Sequence, residues 1–559
     1  MKSGFKGETK LVGALPLVKH YMSKLGIYEI FDKYIPQKSK ELVPPARVLC
    51  AMVLNIVCAP RPLYKAEEWL ADFADGLGGD GLLASVYNDD RLARKLEDLF
   101  AADRNSMMTE FAAGAVKIFT LETKDIHNDT TSVTLTGDYE DKPPATVEPA
   151  RGYNKDHRPD CKQIVFGLNM TADGNVPLSV TLFDGNRTDD TTHVVNWEEL
   201  RKLLGKEDFL YVADCKLCSL ENLRHIDGAG GKFVTVMPKN RKETKAFYKY
   251  LQTRDVDWGE PVLVKEGRKK GAFATYRIYE GEATEEGFRL LWVHCDAKER
   301  RDRARRKNGV EKALKELDKI SKKLNKYNLK TEAEIDAAVK RACKSWRDLL
   351  DVKVFKEKAI VRTQAGPGRP GPDTKYREEE KITFRLEYSV NEEAVSRAAR
   401  SDGVFALITN ADMEPAEALK KYKNQPYLEK RMCTAKSVLE VAPVFLHSPR
   451  RIEAMLFLYF VALMIVGLVE RNIRKAMKEE KIEKLPILPT GLKTGTPTWK
   501  NLNYFFRNVH LSIVSRNGEI LSATVKGVTA LHEEVLRLLD VPASVYRNIK
   551  EQWWVFGFA

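Results

Sequence analysis

Two acidic residues occupy positions where a carboxylate is unusual, which suggests that each has a chemical role. Asp129 interrupts the run "IHNDTTSVTLTGDY", whose Thr, Ser and Val content is typical of a strand, although aspartate is disfavoured inside strands. Asp214 ends the apolar run "FLYVA", which predicts a buried central strand. The carboxyl end of such a strand is where α/β sheets place reactive groups. The alternative is that Asp214 has only a structural role, as a cap for the next turn.

Glu429 supplies a third acid, in the stretch "YKNQPYLEKRMCTAK". On a continuous helix this residue would share one stripe with three others, Tyr422, Gln425 and Lys436. Such a stripe is usually a solvated face. Pro426 favours the first turn of a helix, so the helix is predicted to start near it, with Glu429 in that first turn. Tyr422 and Gln425 would then lie in the segment that precedes the helix.

Converging carboxylates repel one another unless a cation lies among them. Oxygen ligands with open positions suit Mg²⁺ or Mn²⁺. Two such ions can hold the attacking and leaving oxygens of an in-line phosphodiester displacement. That chemistry needs no covalent nucleophile, and no Ser/His/Asp or Cys/His arrangement in the sequence calls for one. If the three acids meet, a metal-dependent phosphodiester site is therefore expected.

The elements that must position the acids alternate between strands and helices. The run "QIVFGLNMTADGNVPLSVTLFDGN" predicts two strands joined at a turn over 173–175, and a helix ending at Gly205 follows. After the strand that ends at Asp214, a helix from Ser219 to Gly228 and the strand "GKFVTVMP" complete the series. The predicted order is β-β-β-α-β-α-β, an antiparallel meander continuing into parallel α/β units.

Five segments follow from changes in this pattern. Residues 1–118 form a helical N-terminal domain, with Asp89 or Asp90 as a helix cap, and are expected to bind DNA ends. The series above occupies 119–238. Residues 239–410 are too long for a loop and form an inserted subdomain with strands and a basic helix. Residues 411–478 complete the catalytic domain with the Glu429 helix and a buried helix. Residues 479–559 form a C-terminal region suited to oligomerisation.

The predicted insertion carries most of the chain's net positive charge. Residues 298–330 contain 14 Lys or Arg against 5 Asp or Glu, a net +9, with an apolar stripe at helical spacing. A solvated helix face and a DNA contact are equally good explanations. The run "AGPGRPGP" predicts a flexible loop. Trp292 could stack on an extruded base, but its alternating surroundings favour a strand with Trp in its core.

Composition narrows the class of protein. A chain of 559 residues with 43% hydrophobic and 31% charged residues is ordinary for a soluble globular protein, and a net charge of +13 favours nucleic acid as a partner. Eight scattered cysteines indicate reduced, cytosolic thiols. The apolar run "MLFLYFVALMIVGLV" is too short for a bilayer span, so it predicts a buried helix and no membrane association.

The order and spacing of these motifs resemble a known family. "DTTS" at Asp129, "VADCKL" at Asp214 and then Tyr-x2-Gln-x3-Glu-x6-Lys are similar to the DDE transposases of bacterial and archaeal insertion sequences, in the branch with the signature Tyr-x2-Arg-x3-Glu-x6-Lys. "GYNKDHRPDCKQIVFGLN", "DGNRTDDTTH" and "RPLYKAEEWL" also resemble a subgroup of that branch. Gln425 replaces the arginine of the signature; it can hydrogen-bond a phosphate or base but carries no charge.

The resemblance implies an α/β fold: an RNase H-like catalytic domain, with a mixed five-stranded sheet and helices, interrupted by the insertion. It implies Asp129, Asp214 and Glu429 as catalytic ligands of two Mg²⁺ or Mn²⁺ ions. It implies that Tyr422 and Lys436 contact DNA near the cut. The expected activity is cutting insertion-sequence ends and joining 3′-hydroxyls to target DNA. The expected partners are double-stranded terminal inverted repeats and target DNA, bound by a homodimer in a prokaryotic cytoplasm, at the nucleoid.

A basic cluster just before a core strand adds further candidates for DNA contact. It consists of Lys155, His157, Arg158 and Lys162. A structural salt-bridge loop is the equally good alternative. Cys215 and Cys218 could join His157 and Cys161 in a zinc site, but a lone C-x2-C is more often two unrelated thiols.

Two rival functions remain open on the sequence. One is an RNase H-like nuclease that only hydrolyses DNA, and the other is a catalytically silent DNA-binding protein derived from a transposase. Intact Asp129, Asp214 and Glu429 argue against the silent protein.

Overall fold

The computed structural model describes residues 5–72, 84–140, 146–265, 273–326, 329–367, 369–372, 374–441, 446–517 and 519–547. The chain divides into two compact units. The first comprises 1–235, 410–412 and 418–559, and the second comprises 236–409 and 413–417. The second unit overlaps the insertion predicted over 239–410.

The N-terminal part of the first unit is mostly helical. Its elements are β1 (Phe5–Leu11), α1 (Leu15–Lys24), α2 (Ile27–Tyr34), α3 (Pro45–Cys58), α4 (Ala66–Asp72), α5 (Asp89–Ala101) and α6 (Arg104–Phe119). Every residue of α3 is buried, and the helix starts at a proline, whose fixed φ suits the first turn.

Two details of this region differ from the prediction. The segment 1–118 is not helical throughout, because β1 pairs antiparallel with a C-terminal strand over its whole length. Six of its seven residues are exposed, so it lacks the apolar alternation by which strands are recognised. The cap of α5 is Asn88, whose side chain accepts a hydrogen bond from the Arg91 N–H, and not Asp89 or Asp90.

The predicted strand series of the first unit is confirmed. It consists of β2 (Asp125–Leu135), β3 (Lys162–Thr171), β4 (Pro177–Phe183), α7 (His193–Leu204), β5 (Leu210–Ala213), α8 (Leu220–Gly228) and β6 (Lys232–Met237). The strands lie in the order β4-β3-β2-β5-β6. The first three form an antiparallel meander, whereas β2, β5 and β6 are parallel. All four residues of β5 are buried, as expected of a central parallel strand.

The local signals around this sheet also behave as predicted. Gly205 ends α7 in the left-handed conformation, at φ 63°. The Ser219 side chain caps α8 by accepting from the Asn222 N–H. Residues 173–175 form the β3–β4 turn, and Gly174, at φ 79°, lies so close to Arg471 that a Cβ there would be 2.4 Å from the Arg471 Cγ.

The second unit contains β-strands and the basic helix. Its elements are α9 (Lys242–Thr253), β7 (Val262–Lys265), β8 (Phe273–Glu280), β9 (Arg289–Cys295), α10 (Asp296–Lys323), α11 (Glu332–Cys343), β10 (Leu350–Gln364), β11 (Tyr376–Val390), α12 (Glu392–Ala399) and β12 (Val404–Thr409). Strands β12, β9, β8 and β7 are antiparallel neighbours, and β10 pairs with β11 as a long hairpin.

The basic segment is helical, and its apolar stripe faces a core. Val310 and Leu317 of α10 are buried, and Leu314 and Ile320 pack against the same cluster. Several of its charged residues form pairs four residues apart on the exposed face, such as Lys322 with Asp318. The strand β10 was not predicted. The predicted loop over 365–372 connects β10 to β11, and its Gly368 lies outside the described residues.

The remaining elements run from α13 to the C-terminal region. They are α13 (Pro415–Tyr422), α14 (Gln425–Ser437), α15 (Pro449–Glu479), α16 (Trp499–Phe506), β13 (His510–Arg516), β14 (Glu519–Lys526), α17 (Ala530–Leu538) and α18 (Ser544–Arg547). By length and composition α15 could cross a membrane, but 94% of its most apolar window is buried inside the protein. The predicted buried helix is therefore confirmed.

Candidate active site

Asp129 on β2 and Asp214, the residue after β5, lie at the same level of two adjacent parallel strands. The register of β2 and β5 pairs His127 with Val212. Asp129 and Asp214 each follow two residues later, and neighbouring strands are about 4.8 Å apart. The carboxyl end of β5 therefore brings Asp214 beside Asp129, as the strand pattern predicted.

Both carboxylates are held by backbone donors. The Asp129 Oδ1 accepts the Thr130 N–H at 2.8 Å, and the Asp214 Oδ1 accepts the Lys216 N–H at 2.9 Å. Thr235 on β6 donates to the Asp214 carbonyl oxygen at 2.6 Å. The pKa of Asp129 is raised to about 6, chiefly by burial; the nearby Asp214 and Asp189 charges also raise it, whereas Lys155 and the Thr130 N–H lower it. Burial also raises the pKa of Asp214.

Asp189 is a fourth acid that the sequence analysis did not single out. It opens a short 3₁₀ turn over Asp189–Thr191. Its Oδ1 accepts the Thr130 hydroxyl at 2.5 Å, next to Asp129. Its charge contributes to the raised pKa of both Asp129 and Asp214. The only sequence signal was its place in the motif "DGNRTDDTTH", since a polar residue in a turn is otherwise unremarkable.

Lys155 lies among these acids. Its Nζ is 3.7 Å from the Asp129 Oδ1 and 3.6 Å from the Asp189 Oδ2. The same ammonium donates to the Thr130 carbonyl oxygen at 2.5 Å. Lys155 was predicted to contact DNA; in the structure its ammonium lies within 4 Å of both carboxylates, and the DNA contact stays a prediction.

Glu429 is carried by α14, which starts at Gln425 with Pro426 in its first turn. The predicted start near Pro426 is confirmed, but Glu429 lies just beyond the first turn and its side chain is exposed. Tyr422 ends α13, so the helix is interrupted before Gln425. The Tyr422 phenol is close enough to both Asp214 and Glu429 for their charges to affect its pKa. Burial raises that pKa most, and Asp214, Cys215 and Glu429 raise it further.

Gln425 fastens the start of α14 to β2. Its Oε1 is 2.9 Å from the His127 Nδ1, and its Nε2 donates to the Asn128 carbonyl oxygen at 2.8 Å. The side chain is buried. Gln425 was predicted to bind DNA; in the structure its amide oxygen and nitrogen both bond inside the protein, two residues or fewer from Asp129.

Arg431 fastens the middle of α14. Its Nε donates to the Asn175 carbonyl oxygen at 3.1 Å, in the β3–β4 turn. Its Nη2 lies 3.2 Å from the Glu470 Oε2 on α15. Both side chains are almost fully buried, and Glu470 also accepts the Trp499 N–H at 2.7 Å. Because buried charges are stable only when paired, this network fixes where α14 lies.

Lys436, predicted to bind a DNA phosphate, is paired within the protein. Its Nζ lies 2.6 Å from the Asp156 Oδ1. Asp156 belongs to the turn that also carries Lys155. Asn154 shapes that turn: its buried side chain accepts from the Asp156 N–H at 2.7 Å and donates to the Thr134 hydroxyl at 3.1 Å.

The other members of the basic cluster differ in their surroundings. His157 is exposed, with its backbone in the left-handed region at φ 59°. The Arg158 Nη2 pairs with the Asp160 Oδ2 at 2.7 Å, so this part matches the alternative of a salt-bridge loop. The Lys162 ammonium donates to the Asp138 and Tyr139 carbonyl oxygens.

The polar groups of the acid site are carboxylates, the type of ligand that hard divalent cations prefer. These carboxylates repel one another, and the single positive charge of Lys155 lies within 4 Å of two of them. In the part of the chain that the structure describes, no group of three or more His, Cys, Asp or Glu is arranged to hold a metal ion. Neither the acids nor the four residues considered for a zinc site, Cys215, Cys218, His157 and Cys161, form such a group in the described residues. Trp292 is buried and stacks on Phe247 with ring centroids 3.9 Å apart, as expected of a core residue.

Part of the chain matches a family model, and the whole chain has a distant match among solved structures. Residues 7–113 match a family model described as a domain of unknown function, DUF4277. No curated protein matches the chain. Among solved structures, one match is a cryo-EM structure of the piggyBac transposase synaptic complex with hairpin DNA. It is 8% identical, with a TM-score of 0.38, over 98% of this chain and 87% of that one.

Proposed function

We propose that this protein is a DNA transposase that cuts the ends of an insertion sequence and joins their 3′-hydroxyls to target DNA. The observation that carries the proposal is the placement of Asp129 and Asp214 at one level of adjacent parallel strands, with the Glu429 helix fastened to the same strand by Gln425. The strand order β4-β3-β2-β5-β6 supports an RNase H-like catalytic domain, as the sequence resemblance implies.

In this proposal Asp129, Asp214 and Glu429 hold two Mg²⁺ or Mn²⁺ ions. When bound, such ions activate the attacking water or 3′-hydroxyl and stabilise the departing 3′-oxygen. The chain's own residues place these carboxylates. Backbone donors orient Asp129 and Asp214, and Arg431 with Gln425 keeps α14 against the sheet.

Two side chains are assigned to the DNA near the cut. Lys436 binds a phosphate after it leaves Asp156. The Tyr422 hydroxyl is protonated at neutral pH, as in any tyrosine, and its pKa is raised further above 10 chiefly by burial, so it can donate a hydrogen bond to a phosphate oxygen. The exposed His157 and Arg158 are the further candidates for backbone contact. Gln425 acts by positioning α14.

A strand-transfer assay tests the proposal. Pre-cut ends, taken from inverted repeats that flank the gene, are incubated with the full chain, a target plasmid and Mg²⁺. Joined products that disappear in Asp129→Asn, but not in the exposed control Asp208→Asn, support a transposase. Nicks without joined products would instead assign the protein as a nuclease. DNA binding without either product, unchanged by Asp129→Asn, would assign it as a silent DNA-binding protein.

A further inference from the structure

Two adjacent residues of opposite charge each bind a group of the candidate site. Lys155 lies against Asp129 and Asp189, and Asp156 pairs with Lys436. We propose that Asp189 is a fourth acid of the site and that the turn 154–158 closes the site in the DNA-free chain. In that closed state Lys155 takes the place of a divalent cation and Asp156 takes the place of a DNA phosphate. The inference rests on the proposed function.

The cation half of the inference follows from the distances around Lys155. One ammonium lies within 4 Å of carboxylate oxygens of both Asp129 and Asp189. The hydrogen bond from the Thr130 hydroxyl to Asp189 keeps that acid beside Asp129. The two carboxylates are therefore close enough for one ammonium to contact both. A lysine can supply only one positive charge to this group of acids. A divalent cation supplies more charge at shorter range, so it competes with Lys155 for the same oxygens.

The phosphate half follows from the distances around Asp156. Its Oδ1 receives the Lys436 ammonium at 2.6 Å, and its Oδ2 receives the Thr134 hydroxyl at 3.0 Å. A carboxylate that accepts an ammonium and a hydroxyl presents the same acceptor chemistry as two oxygens of a phosphate. Lys436 therefore has to exchange one anion for another when DNA binds.

The two halves are coupled because the turn is built as one piece. The Asn154 side chain accepts the Asp156 and Arg158 N–H groups, and the Ser132 hydroxyl on β2 accepts the Lys155 N–H at 2.8 Å. Lys155 and Asp156 are thus held from the same strand that carries Asp129. Displacing either contact loosens the turn that presents the other, so cation binding and DNA binding should favour each other.

The cation half is tested by Mn²⁺ titration of the full chain in a calorimeter. Lys155→Met is expected to bind Mn²⁺ about tenfold more tightly, because the competing charge is gone. Asp189→Asn is expected to bind about three- to tenfold more weakly, because an acid of the site is gone. The matched controls are Lys202→Met on α7 and Asp190→Asn, whose exposed side chain follows Asp189, and both should bind like wild type. Unchanged or weaker binding in Lys155→Met overturns this half.

The phosphate half is tested by binding of a mixed-sequence DNA duplex in EDTA. Asp156→Asn should tighten binding about three- to tenfold, and the gain should vanish when Lys436→Met is also present. Asp138→Asn removes an equal, exposed charge and should not interact with Lys436→Met. An Asp156→Asn gain that persists without Lys436 overturns this half.

The outcomes separate the inference from the proposed function. If Asp129→Asn leaves Mn²⁺ binding unchanged, the acids are not a cation site and both the proposed function and the cation half are contradicted. If Asp129→Asn abolishes Mn²⁺ binding but Lys155→Met does not alter it, the proposed function stands and the inference falls.

Discussion

Asp129 and Asp214 are brought to one level by the parallel pairing of β2 and β5, two residues beyond the pair His127 and Val212. Placing two half-buried carboxylates side by side opposes folding, because each charge is partly desolvated and repels the other. The chain accommodates them with backbone donors and with Lys155. Several consequences can be measured on the isolated protein.

The stability of the chain should depend on the protonation of Asp129. The folded pKa of about 6 exceeds the ordinary value of 3.8, so the native state holds the proton more tightly than the unfolded state. Stability therefore falls as pH rises from about 4 to about 6. Asp129→Asn removes this effect and should be more stable than wild type by about 1–3 kcal/mol at pH 7.5 in EDTA, but not at pH 4. Urea unfolding at both pH values checks this, and equal stability at pH 7.5 would contradict it.

Arg431 should be essential for holding α14 in place. Arg431→Met removes one of the two arginines that pair with the buried Glu470, and Arg474 remains 3.2 Å from the same oxygen, so the variant should destabilise the first unit by about 1–3 kcal/mol. The exposed pair of Arg158 and Asp160 is the comparison, and Arg158→Met should change the free energy of unfolding little. Denaturant unfolding measures both. Adding Glu470→Gln to Arg431→Met should recover part of the loss; similar small effects for both arginines would refute the anchoring role.

Gln425 should matter for stability as well as for activity. Gln425→Leu keeps the volume but leaves the Asn128 carbonyl oxygen and His127 without their partner, at a cost of about 1–3 kcal/mol. The exposed Gln252→Leu should change stability little. Thermal unfolding compares the two variants. If Gln425→Leu weakened DNA binding with no loss of stability, Gln425 would be a DNA contact and not a positioning residue.

Lys436 should contribute one phosphate contact. Lys436→Met is expected to weaken binding to every duplex by a similar factor and to reduce the salt slope of log K by about 1. Lys202, which pairs with Glu199 on the exposed face of α7, is the control. Binding of duplex DNA at several salt concentrations gives the slope. A sequence-dependent loss with no change of slope would mean that Lys436 reads a base.

The turn 154–158 should depend on Asn154. Asn154→Ala removes the acceptor for the Asp156 and Arg158 N–H groups. We expect amide hydrogen exchange across this turn to accelerate by about tenfold or more, since a buried side-chain hydrogen bond contributes about 1–2 kcal/mol to local order. The exposed Asn105→Ala should leave exchange there unchanged. Unaltered exchange in Asn154→Ala would show that other contacts hold the turn.

The sequence predicted the acids on strands better than the residues that support them. Asp129 and Asp214 stood out because a carboxylate beside an apolar strand conflicts with local preference. Pro426 predicted the break before α14, because its ring is tolerated only in a first turn. These signals are local, and local preferences agree with the fold at these positions.

Other features depend on contacts between residues far apart in the chain. In the sequence Asp189 has the pattern of an ordinary turn residue, and only its hydrogen bond with Thr130 places it at the site. Gln425 has the pattern of a solvated polar residue, and only its contacts with His127 and Asn128 show that it is buried. The strand β1 is almost wholly exposed and is defined by its pairing with β13, at the other end of the sequence. No periodicity within either segment carries that information.

The central claim is tested most directly by the yield of joined strand-transfer product from pre-cut ends in Mg²⁺. Asp129→Asn, Asp214→Asn and Glu429→Gln should each lower that yield by at least about a thousandfold, because each removes a carboxylate that is proposed to hold the metal ions of the reaction. The exposed Asp208→Asn should match wild type. Retention of near-wild-type joining by any one of the three variants would contradict the assignment of that acid, and retention by all three would contradict the proposed site.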